Sequence, residues 1–136
     1  MSAAHLKASI LANAQEIQRL TAHVQETSKL RDRSPEDHRN WQRACEAFHS
    51  NYDALAFPGG YADALERIAS SQPEAVESAL CFLEARPYFF RSGYMFKDIL
   101  RKTKRAALTE QQTARLAVIV AAYEQYRTQR QQATGA

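Results

Sequence analysis

Cys45 and His49 stand four residues apart, the spacing that brings two side chains onto one side of a helix, and a thiol beside an imidazole is a minimal nucleophile and base. Reactivity needs a positive, accessible setting. Cys45 instead falls on an apolar stripe with Trp41 and Phe48, where a thiol behaves as a small hydrophobe, so an inert core cysteine is expected. The same pair is half of a metal site, with His5, His23 and His38 as further ligands, but no second close pair exists to complete a tetrahedral shell. No Gly-x-Ser-x-Gly elbow, P-loop, dinucleotide glycine fingerprint or His-Glu-x-x-His pattern occurs. The expectation is a protein that is not an enzyme, with no catalytic residue, metal or cofactor.

The strongest bias lies in residues 86–105, which hold seven of the 18 Lys and Arg, a single acid, and five of the 13 aromatics. Three readings compete for this stretch. In one, Tyr88, Phe89, Phe90, Tyr94 and Phe96 fill a core while the bases reach back to solvent, since five clustered aromatics are costly to leave wet. In another, the bases bind phosphates, helped by the amides at a helix start near Ser92 and Gly93, and the tyrosines stack on nucleic-acid bases. In the third, the surface holds a protein partner, because Arg and Tyr are the residues that dominate interface hot spots.

Charge along the chain favours the third reading. The segment 61–85 carries −4, from five acids and one base, and borders a segment of +6, while the whole chain is only +3 with a pI near 9.0. Neighbouring fields of opposite sign orient a protein partner, whereas the acidic one repels a long polyanion. The expected partner-binding residues are therefore Arg86, Tyr88, Arg91, Tyr94, Lys97, Arg101, Lys102, Lys104 and Arg105, with Glu77 and Glu84 on the acidic side. A small catalytically silent chain of this kind is of the same type as immunity proteins that neutralise toxins, inhibitors and adaptors. Nucleic-acid binding through the basic segment is the alternative.

The elements that must position these residues are helical. Four Gly and four Pro among abundant Ala, Leu, Gln, Glu and Arg make a helix-rich composition, and 136 residues suffice for one domain spanning 1–136. Leu6, Ile10, Ile17, Leu20 and Val24 mark a long amphipathic helix over 4–30, whose narrow seam suits a hairpin or a homodimer through that helix. Ser34 and Pro35 start a second helix, with Trp41, Cys45, Phe48, Tyr52 and Leu55 on one face, which completes a long hairpin over 4–57. Phe57-Pro58-Gly59-Gly60 breaks it. Two shorter helices occupy 61–85, with Asp63, Glu66, Glu74, Glu77 and Glu84 on an acidic outer side.

Ser92 is the expected cap of a fifth helix with Phe96, Ile99 and Leu100 in the core. A last helix over 109–131 begins with a Thr109/Gln112 capping box. Apolar on much of its circumference, it is expected to sit centrally, with residues 131–136 frayed. The fold class is thus all-α, a bundle of about six helices arranged as consecutive antiparallel hairpins. The opening residues lack the pattern of a secretory leader, no run approaches about eighteen apolar residues, and two cysteines are too few for a disulfide framework. A cytoplasmic protein with reduced thiols and no membrane span is expected.

Overall fold

Capping chemistry sets the helix boundaries. The Ser34 hydroxyl accepts the Asp37 N–H at 3.1 Å, and Pro35 follows where its missing N–H costs nothing. Thr109 and Gln112 form the reciprocal box their spacing predicts: the Thr109 N–H donates to Gln112 Oε1 at 3.0 Å, and the Gln112 N–H to Thr109 Oγ1 at 3.1 Å. A computed structural model describes residues 2–134, the last of these by its backbone. Among them are six α-helices and no strand: α1 Ala3–Leu30, α2 Pro35–Ala56, α3 Ala64–Ala69, α4 Pro73–Ala85, α5 Ser92–Thr103 and α6 Glu110–Thr134.

The fold is the expected all-α single-domain bundle, and several details differ from the sequence expectation. After α2 the chain turns through Gly59 and Gly60, at φ of 82° and 91°, and the Tyr61 N–H is committed to the Asp53 carbonyl at 3.2 Å. That turn delays α3 to Ala64, three residues later than expected. Ser92 does not cap α5. Arg91 occupies the cap position in left-handed geometry, while Ser92 is the first helical residue and its buried hydroxyl accepts the Phe89 N–H at 3.0 Å. Gln131–Thr134 continue α6 instead of fraying, and residues 135 and 136 lie outside the described part.

The larger correction concerns the centre. Among the described residues of α6 only Leu116 and Ile119 are buried, and Val118 is 71% exposed. The central element is α4, which packs against α1, α3, α5 and α6. Its Ala75, Ser78 and Ala79 are buried, yet such small residues give little hydrophobic signal in a sequence. Around them Val76, Leu80, Phe82 and Leu83 are fully buried with Ile17, Phe57, Ile68 and Ile99, each contributing about 1.5–3 kcal/mol of apolar transfer. α1 packs most extensively on α2, with Ile10, Ala14, Ile17 and Leu20 buried, so the seam that offered a self-pairing surface is occupied within the chain. No described helix is long and apolar enough to cross a membrane.

Candidate binding groove

The loop between α4 and α5 is held in one shape by three other parts of the chain. At its two ends Arg86 (φ 49°, ψ 60°) and Arg91 (φ 68°, ψ 11°) are left-handed, a conformation that costs an L-residue about 1–2 kcal/mol. From α1, Gln18 Nε2 donates to the Tyr88 carbonyl at 2.5 Å. From α2, the Tyr52 hydroxyl donates to the Phe90 carbonyl at 2.6 Å, and partial burial raises the Tyr52 pKa, which keeps the phenol protonated as a donor. From α5, Ser92 takes the Phe89 N–H. The side chains of Phe89 and Pro87 are buried beneath the loop.

Above this loop lies an open groove of about 1050 Å³. Gln18, Thr21 and Gln25 of α1 form one wall, and Tyr123, Tyr126 and Arg127 of α6 another. Five cations line it, Arg86, Arg91, Lys97, Arg127 and Arg130, and among the described lining residues there is no Asp or Glu. Three guanidinium groups lie over aromatic rings: Arg86 at 4.6 Å from the Tyr126 centroid and 5.4 Å from Phe96, Arg91 at 5.3 Å from Phe90, and Arg127 at 5.9 Å from Tyr123. Each such cation–π contact contributes about 0.5–1 kcal/mol at an exposed site and restricts the long side chain. Phe89 and Phe96 are buried, but Tyr88 is 81% exposed, Tyr94 74% and Phe90 48%. The core reading of the five aromatics therefore holds for two of them.

Of the expected site residues, Arg86, Tyr88, Arg91, Tyr94 and Lys97 come together here. Arg101 instead bonds Asp98 at 2.7 Å on its own helix. Lys102 is half-buried, and Lys104 and Arg105 follow the far end of α5, which at 1.5 Å per residue is about 16 Å from its start. None of these four lines the groove.

Glu77 and Glu84 do not form an acidic outer side. Both face Arg115 of α6, which reaches the two Glu77 oxygens at 2.8 Å each and Glu84 at 2.7 and 3.1 Å, while Lys7 of α1 lies 3.1 Å from Glu84. The Arg115 hydrogen bond holds the Glu84 carboxyl below its ordinary pKa, and the pairing raises that of Arg115. Cys81 touches the same cluster, and burial raises the pKa of its thiol, so it remains protonated. Cys45 is half-buried and His49 exposed, with its ring edge-on to Phe48 at 5.5 Å. Among the described residues no group of three His, Cys, Asp or Glu side chains is placed to hold a metal ion.

The α1 and α6 walls were missed by sequence reasoning. Gln18, Thr21 and Gln25 carry no pattern of their own, and Tyr123 and Tyr126 fall in the apolar stripe of the last helix with Leu116 and Ile119. Neither a family model, nor a curated protein, nor a solved structure matches this chain.

Proposed function

We propose that this chain is a non-enzymatic protein-binding module that occludes or scaffolds a partner held in the 86–97 groove. The observation that carries this reading is the groove itself, lined among the described residues by five cations and no Asp or Glu around exposed tyrosines, on a loop pinned by three helices. Arg and Tyr concentrate binding energy at interface centres, and a loop already ordered in the free protein avoids an ordering cost on association. Neutralisation of a toxin or effector, as by an immunity- or inhibitor-type protein in a cytoplasm, is the form of occlusion that suits a small rigid chain. The Cys81 thiol, buried and held protonated, does not suit a nucleophile, which favours this reading.

A second reading, single-stranded nucleic acid, is favoured by the exposure of Tyr88 and Tyr94 beside the bases. Affinity capture from the native host separates the two. Wild type is compared with a variant carrying Arg91→Glu, Lys97→Glu and Arg127→Glu, with and without nuclease. Protein capture that resists nuclease and is lost in the variant supports the proposal. Equal capture by both forms contradicts the groove, and nuclease-sensitive capture transfers it to the second reading.

A further inference from the structure

Arg86, Arg91 and Arg127 of the groove lie over aromatic rings, as Arg31 does over Trp41 outside it. Elsewhere Arg19, Arg67, Arg101 and Arg115 are paired with Glu16, Asp63, Asp98 and the Glu77/Glu84 couple. Among the described residues no carboxylate lies within ion-pair distance of Arg86, Arg91 or Arg127. Their contacts are with rings, at 4.6–5.9 Å from guanidinium carbon to ring centroid. A planar guanidinium presents a fork of donors that matches an oxyanion with two oxygens.

Backbone geometry adds an independent observation. Arg86 and Arg91 both stand at left-handed positions where glycine would relieve strain, and Arg86 closes α4 at the site where glycine is the usual residue. The chain thus carries a cationic side chain at two places that favour having no side chain. Left-handed backbone at both ends of this loop is the kind of local strain that clusters at ligand-facing segments, although Ser71 shares it away from the groove.

We infer that the partner element is an acidic segment of a protein, whose carboxylates are taken bidentately by Arg86, Arg91 and Arg127 while an apolar side chain beside them rests on Tyr94 and Phe90. This rests on the reading of the groove as a protein-binding site. Nucleic acid is the poorer occupant. The three arginines already lie beside the chain's own rings, and the cations ring a concavity on a chain of only +3.

Fluorescence anisotropy on the full chain at low ionic strength tests this with three labelled probes: a peptide alternating Glu and Leu, its Gln/Leu counterpart, and an oligothymidylate. The Glu peptide is expected to bind, the Gln counterpart not, and the oligonucleotide more weakly than the peptide. The double change Arg86→Lys and Arg91→Lys keeps the charge and removes the fork, and is expected to weaken peptide binding about tenfold. Arg127→Lys sits in a regular helix, so folding is not at stake, and is expected to weaken binding severalfold. The inference is overturned if Glu and Gln peptides behave alike, if the lysine variants bind as wild type does, or if the oligonucleotide binds more tightly. Should groove-dependent protein capture stand while the Glu peptide fails, the acidic partner is wrong and the binding module remains.

Discussion

Replacing Arg115 by Met keeps much of the volume of the side chain but removes the charge that ties α6 to α4. The arginine spans both oxygens of Glu77 at 2.8 Å and both of Glu84 at 2.7 and 3.1 Å, with its own side chain 22% exposed and those of the acids 33% and 22%. Exposed pairs contribute about 0.2–1 kcal/mol, and breaking a buried one costs about 3–5 kcal/mol. This half-sheltered cluster falls between, at about 2 kcal/mol. For 136 residues that corresponds to a melting temperature lower by about 6–8 °C at neutral pH.

The loss must also depend on pH. Glu84 is held below its ordinary 4.5, so its contribution is present above that pH and disappears as the pH falls through the folded value. Wild type therefore loses stability on acidification below about pH 4.5, whereas Arg115→Met has less to lose. Calorimetry of both proteins near neutral pH and near pH 3 measures the gap. A gap that does not narrow in acid, or a neutral-pH shift within about 1 °C, refutes the assignment of the cluster as the clasp between α4 and α6.

Arg91→Gly is expected to be more stable than Arg91→Ala by about 1 kcal/mol in urea denaturation, because alanine keeps the penalty of the left-handed backbone; equal midpoints would contradict that geometry. Tyr52→Phe removes the donor to the Phe90 carbonyl and should cost about 1 kcal/mol while increasing amide exchange at residues 88–91; unchanged exchange would show that the loop is held by other means. Gly60→Ala places a Cβ at 2.9 Å from Asp53 Oδ2 at a φ of 91°, and a loss of about 1–3 kcal/mol is expected. A melting temperature within about 1 °C of wild type would contradict that turn.

The helices were legible because their signals are local: Ser34-Pro35, the Thr109/Gln112 box and the glycine break each act within four residues of chain. The groove was legible in half. Residues 86–97 announce themselves by composition, but the walls from α1 and α6 are brought there by packing on α4, whose small residues carry no periodic signal. For the same reason Arg115 went unread. It lies 38 residues from Glu77, and only the approach of α6 to α4 shows that Glu77 and Glu84 are paired within the chain. That finding alters the electrostatic picture: the expected −4 field beside the bases is partly consumed, and the cationic groove stands more alone than the sequence implies.

Photocrosslinking from the groove tests the central claim most directly. p-Benzoylphenylalanine replaces Tyr94 in one protein and the exposed Glu46 of α2 in another, and both are irradiated in the native host. A protein adduct formed from position 94, absent from position 46, resistant to nuclease and lost when Arg91 and Arg127 become Glu is the predicted result. Equal adducts from both positions, none from 94, or a product that nuclease removes would contradict it.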